Sequence, residues 1–157
     1  MTITNNVTRM LEAKKVKFTV HALPEEKLGS QKSAELIGVP VEIVFKTIVA
    51  VRTKPGKPIL AVVPGDRELN LKMLAKAVGE KKIKLASHQQ AESLTGLQTG
   101  GISPLALINK GFQILVDQSA QTHLTIHVSG GQRGLNIEIS PQDLVTLTHA
   151  RFSMLTS

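Results

Sequence analysis

The chain has 157 residues, with 19 Lys and Arg against 12 Asp and Glu for a formal charge of +7, and it contains no Cys, Trp or Tyr. That length suits one domain able to bury a core without staples, and the missing Cys exclude a disulfide scaffold, a thiolate zinc site, iron–sulfur chemistry and a cysteine nucleophile. A hydrophobic fraction of 41% with 20% charged residues excludes wholesale disorder.

Val7, Met10 and Leu11 share one face of an opening helix that ends near Lys15, and the alternation of Val16, Phe18 and Val20 predicts a strand. Ser30 is placed to cap a second helix carrying Ala34 and Ile37, stopped by Gly38. Pro40 marks a short turn ahead of a strong strand over 44–52. Lys54-Pro55-Gly56-Lys57 is a turn signal, which makes 59–63 the second arm of a hairpin. Pro64-Gly65-Asp66 breaks the pattern before a helix with Leu71, Leu74 and Val78, closed by Gly79. A short strand over 84–86 follows, then a helix to Thr95 for which Ser87 and Gln90 form a capping box. Beyond a Gly-rich loop, 112–117 and 124–128 read as strands, and a second Gly-rich loop leads into a strand over 135–139. Ser140 as cap and Pro141 as first helical residue start a terminal helix. Hairpins mixed with helices predict an α+β fold with a mixed sheet rather than a doubly wound parallel one.

No apolar run approaches the length of about 18 residues that a membrane helix needs. The N-terminus lacks a basic head followed by an apolar block, so no secretory signal is expected and the location expected is the cytoplasm. The positive charge fits either a phosphate-rich partner or simple solubility. With only 3% aromatic residues there is little surface for stacking bases, which disfavours a general single-strand binder.

Lys46 shares a strand face with Val44, Ile48 and Ala50, so it is either an edge-strand gatekeeper, which the pattern alone favours, or a cation aimed into a pocket. Two loops, Thr99-Gly100-Gly101-Ile102-Ser103-Pro104 and Ser129-Gly130-Gly131-Gln132-Arg133-Gly134, carry paired glycines. Such pairs let a backbone approach a ligand and turn N–H groups toward one anion or carbonyl. Singly, each loop reads as a tight turn; together with the strand lysine they point to a small polar pocket. Neither is a Walker or dinucleotide fingerprint. His123 and His127 have a spacing that binds zinc on a helix, but in a strand four residues span about 13 Å, so no metal is expected there.

Phe45-Lys46-Thr47, GGISPL at 100–105 and SGGQRGLNIEI at 129–139, followed by Ser140-Pro141-Gln142-Asp143-Leu144, resemble the signature blocks of the YbaK family. The blocks fall in matching order along essentially the whole chain, 1–157. That family is similar to the editing domain inserted in bacterial prolyl-tRNA synthetases, and its best-known members are freestanding deacylases that clear cysteine from mischarged tRNA(Pro). The resemblance implies one domain, a mixed sheet curled toward a barrel with helices around it, and no cofactor or metal. It implies substrate-assisted chemistry, in which the bound cysteine's thiol attacks its own carbonyl.

By the same resemblance Lys46 is the essential catalytic cation, set against the carbonyl oxygen or the terminal adenosine phosphate. Thr47 anchors substrate, Gly100 and Gly101 offer backbone donors, and Ser129 and Gly130 contact the terminal ribose or the amine. Asn136 joins the substrate-binding set, while Arg133 either contacts phosphate or stabilises its loop. Leu23 stands where a Tyr often follows the family's usual histidine, here His21. Leu28 and Gly29 replace an expected aromatic, and Asn136 stands where some members carry Asp. The implied activity is removal of cysteine from tRNA(Pro), with Cys-tRNA(Cys) as a further substrate. Alternatives are a deacylase for another small amino acid such as alanine, or a non-catalytic adaptor for tRNA or prolyl-tRNA synthetase. The expected partners are an aminoacyl-tRNA and prolyl-tRNA synthetase, with no membrane. No long heptad calls for a dimer, and a monomer is expected.

Overall fold

The computed structural model describes residues 4–157. In chain order the elements are α1 (Asn6–Ala13), β1 (Phe18–Ala22), α2 (Ser30–Ile37), β2 (Phe45–Arg52), β3 (Ile59–Pro64), α3 (Leu71–Ala77), β4 (Ile83–Leu85) and α4 (His88–Thr95). There follow β5 (Gln113–Asp117), β6 (Ile126–Ser129), β7 (Leu135–Ile139), α5 (Pro141–Thr148) and β8 (Arg151–Ser153), with short 3-10 turns at Val41–Ile43, Pro104–Ala106 and Gln118–Thr122.

Local chemistry explains most of the boundaries. Asn5 caps α1 by accepting from Thr8 N at 3.0 Å while Thr8 Oγ1 accepts from Asn5 N at 2.9 Å, a reciprocal box. Ser87 Oγ accepts from Gln90 N at 3.1 Å, and Ser140 Oγ accepts from Asp143 N at 3.1 Å ahead of Pro141. The second helix differs from expectation: Gly29 occupies the cap position without a side-chain bond, and Ser30 is the first helical residue. Gly38, at φ +86°, ends that helix in the left-handed conformation that glycine adopts without strain.

The α+β class is as expected, and the strands divide into two sheets with no closed barrel. An antiparallel sheet has the order β1-β7-β6, and a mixed sheet has the order β4-β2-β3-β5-β8. The β2–β3 hairpin is antiparallel, whereas β3–β5 and β5–β8 are parallel. A single parallel bridge, Val44 to His127, links the two sheets. Strand β3 is buried at every position and divides its side chains between opposite faces. Val62 packs with Phe45, Val116 and Ile137, while Ala61 and Val63 pack with Leu74, Ile83 and Leu155. Burial on both faces is why this segment reads as a continuous apolar run rather than an alternation.

Candidate active site

Strand β4 pairs only with Ala50–Arg52 at the far end of β2. Phe45 to Ile48 of β2 are therefore unpaired on that flank, between the Val44–His127 bridge and the bond from Ala86 N to Val49 O. A cavity of about 390 Å³ opens there, between the β2 strand, the start of α2 and the two Gly-rich loops. Lys46, Thr47, Gly100, Ser129 and Asn136 all line it. Residues from three separated stretches of chain thus meet in one place.

Lys46 lies where β2 pairs with β3 on one side only, because β4 reaches no further than Ala50, so the local edge position favoured by the sequence pattern is also a wall of the pocket. Its side chain is 27% exposed, and Nζ lies 3.7 Å from Oε1 of Glu68, a carboxylate 97% exposed. An ion pair that long, with one fully solvated partner, contributes little. The ammonium is held at the pocket wall with its charge available to a ligand.

The two Gly-rich loops are packed against each other. A Cβ on Gly101 would meet Arg133 N and the Gln132 backbone at 2.9 Å, so only glycine permits this approach. Arg133 Nε donates to Thr99 O at 2.8 Å, and Glu92 Oε2 accepts from Thr99 N at 2.7 Å. That backbone hydrogen bond holds the Glu92 carboxyl below its usual pKa. Arg133 thus bridges the loops. Gly101 N donates to Gln98 O and Gly130 N to Leu135 O, both at 2.8 Å, so these two N–H groups serve the loops themselves. Gly100, at φ +95°, lines the pocket, and Ser129 Oγ accepts from Gly131 N at 3.2 Å. Leu23, Leu28 and Gly29 line the same cavity.

Sequence reasoning missed the polar face behind Asn136. In the β1-β7-β6 sheet His21 lies opposite Asn136, Ser129 opposite Asn136, and His127 opposite Glu138. Residues opposite each other and two apart on one strand share a face, so these side chains form one polar surface while Ile126, Val128 and Ile137 point into the core. His21 Nε2 is 2.9 Å from Glu138 Oε1, Thr125 Oγ1 donates to Glu138 Oε2 at 2.8 Å, and His127 Nδ1 is 2.9 Å from Asn136 Oδ1. The bond from His21, then that from Thr125, lowers the Glu138 pKa. Burial is the chief cause that lowers the pKa of His127, which is only 1% exposed. The period-2 pattern of 125–129 was the available signal, since it puts Thr125, His127 and Ser129 on one face.

The donor atoms of His21, His127 and Glu138 lie within 4.8 Å of one another. A zinc tetrahedron built at ordinary ligand distances has an edge of about 3.4 Å. His21 Nε2 and Glu138 Oε1, at 2.9 Å, are closer than that edge and already hydrogen-bonded, and His127 Nδ1 is taken by Asn136, so the triplet reads as a hydrogen-bonded network. His127 meets these two groups across strands rather than His123 along one.

The two-sheet α+β fold thus places a small pocket between a strand lysine and paired glycine loops. Residues 24–147 match the aminoacyl-tRNA editing domain, and the chain belongs to that family. A protein of Enterococcus faecalis provisionally named Cys-tRNA(Pro)/Cys-tRNA(Cys) deacylase EbsC is 38% identical over 154 residues, covering 97% of this chain and 93% of its own. A proline–tRNA ligase of Maridesulfovibrio salexigens is 34% identical over 104 residues, which are 66% of this chain but 17% of the ligase. A crystal structure provisionally described as a trans-editing enzyme for prolyl-tRNA synthetase shares the fold, with TM-score 0.82, 23% identity and 99% of each chain covered. No helix among the described residues is long and apolar enough to cross a membrane.

Proposed function

We propose that this chain, 1–157 acting as one domain and as a monomer, removes mischarged cysteine from tRNA(Pro), and also from tRNA(Cys), in the cytoplasm beside prolyl-tRNA synthetase. The observation that carries the reading is the meeting of Lys46, Gly100, Ser129 and Asn136 in one pocket of an editing-family chain. The name borne by the Enterococcus faecalis relative supports the substrate. Discrimination between near-isosteric amino acids by a single pocket yields about 1–3 kcal/mol, so a second, destructive site has a purpose.

The chain has no Cys to act as nucleophile, and the bound cysteine supplies its own. Its sulfur attacks the ester carbonyl; the S–C bond forms, the bond from that carbon to the terminal ribose oxygen breaks, and the thiol proton passes to the departing oxygen. The protein holds thiol and carbonyl together and stabilises the developing oxyanion. Lys46 supplies charge at the carbonyl oxygen or the terminal phosphate, with Gly100 N–H beside the aminoacyl group. Thr47, Ser129 and Asn136 position the substrate, and Gly101, Gly130 and Arg133 shape the loops. The product is a cyclic thioester, which makes the enzyme formally a lyase, and no cofactor takes part.

One observation favours a second reading, deacylation of another small amino acid such as alanine. Leu23, Leu28 and Gly29 line the cavity where the YbaK pattern carries aromatic side chains. The test is loss of ester from separately prepared Cys-, Ala- and Pro-tRNA(Pro), with wild type and Lys46→Ala. Loss of the cysteinyl ester alone, reduced by about 10²–10³ in Lys46→Ala, is expected. Preference for the alanyl ester would establish the second reading. Tight tRNA binding with no ester lost would leave a non-catalytic adaptor.

A further inference from the structure

Asn136 is fixed from behind. The residue is 6% exposed, it forms part of the cavity wall, and Oδ1 is taken by the ring of His127 at 2.9 Å. Among the described residues Asn136 Nδ2 has no hydrogen-bond acceptor, although it is not sealed from solvent. His127 is itself held: it sits on β6, bridges to Val44 just ahead of β2, and its ring lies tilted against that of His21, with centroids 5.1 Å apart, while His21 is tied to Glu138.

A neutral imidazole has one N–H and one lone pair, and the bond made by one nitrogen decides where the proton sits. A carboxamide oxygen can only accept, so its contact with Nδ1 requires the proton on Nδ1. We propose that His127 is a positioning residue that donates from Nδ1 to Asn136 Oδ1 and thereby holds the Asn136 amide hydrogens toward the pocket. Asn136 then turns its donor toward the pocket and its oxygen toward His127. It recognises an oxygen of the aminoacylated adenosine, either the ester carbonyl or a ribose oxygen, rather than the substrate's α-ammonium. This is a specific consequence of Asn at this position: an Asp would keep an oxygen facing the pocket. The ligand class rests on the proposed editing function; the geometry of the His127–Asn136 pair does not.

The two can be separated by experiment. In the ¹⁵N-labelled free protein at pH 7, the ring shifts of His127 should report a neutral Nδ1–H tautomer; an Nε2–H tautomer or an imidazolium would overturn the proposal whatever the enzyme does. In the deacylation assay His127→Leu should lower kcat/KM about tenfold while circular dichroism shows an intact fold. His127→Asn places an amide N–H where Nδ1 was and should stay within about threefold of wild type. Equal losses in both variants would reduce His127 to a packing residue and overturn the proposal. Absence of deacylation by the wild type would instead sink the editing reading and leave the tautomer measurement to decide this one.

Discussion

Gly101 has no room for a methyl group, because the atoms in the way are backbone atoms of the second loop at 2.9 Å. Gly101→Ala must push the loops apart, and a melting temperature lowered by several degrees together with lost deacylation is expected. An unchanged melting temperature would show that the loops are not in contact. His127 sets a second expectation. Burial lowers its pKa below the ordinary 6.5, so at mildly acid pH the folded chain binds fewer protons there than the unfolded chain. Its contribution to stability is complete above pH 6.5 and is lost as pH falls through the folded value. Glu138, with a pKa held below 4.5 chiefly by His21, acts in the same sense at lower pH. Urea unfolding should therefore be flat from about pH 7 to 8 and weaken from about pH 6.5 to 5, with a slope of at most about 1.4 kcal/mol per pH unit per proton. The slope in that window should be smaller in His127→Asn; an identical slope would assign it to other groups. Lys46 and the glycine pairs were legible because their residue types are unusual for their settings, whereas His127 and Glu138 look like ordinary strand polars until the partner strand is known.

Strand β8 shows why elements differ in how far they can be read from the chain. Residues 151–153 have no alternation long enough to register, and they form a strand because Asp117 gathers the C-terminal segment. Asp117 is 2% exposed, and its Oδ1 accepts from Leu155 N at 2.9 Å and from Thr156 N at 3.2 Å, while Oδ2 accepts from Ser119 Oγ at 2.5 Å. These bonds seat Leu155 fully buried beside Leu74 and Leu115. Asp117→Ala leaves buried N–H groups without acceptors and should cost about 2–3 kcal/mol or more. Chemical denaturation checks this, and a cost near zero would mean that the terminal segment is held by packing alone. Helices α4 and α5 were legible down to their first residues because Ser87 and Ser140 cap locally. The start of α2 was not, because Gly29 and Ser30 can both begin a helix, and it is Gly29 whose carbonyl accepts the first helical bond, from Ser33 N.

At the scale of the molecule, the charge of +7 suits a polyanion. On the proposed reading, affinity for tRNA should fall steeply with salt, by about tenfold between about 0.1 and 0.2 M if about four or five phosphates are contacted. Filter binding or anisotropy would show it, and a flat response would detach the charge from tRNA recognition. The fold itself answers to two kinds of information. Local chemistry settled by residues within a turn or two — caps, glycine stops, the hairpin, the buried run of β3 — is carried by the sequence alone, because the interacting groups are neighbours in the chain. The split into two sheets, the bare flank of β2 that opens the pocket, and the alignment of His21, Asn136, Glu138 and His127 on one face depend on strand register. Register brings together groups more than a hundred residues apart, as with His21 and Glu138, and it is decided only when the two sheets bury their apolar sides in a common core.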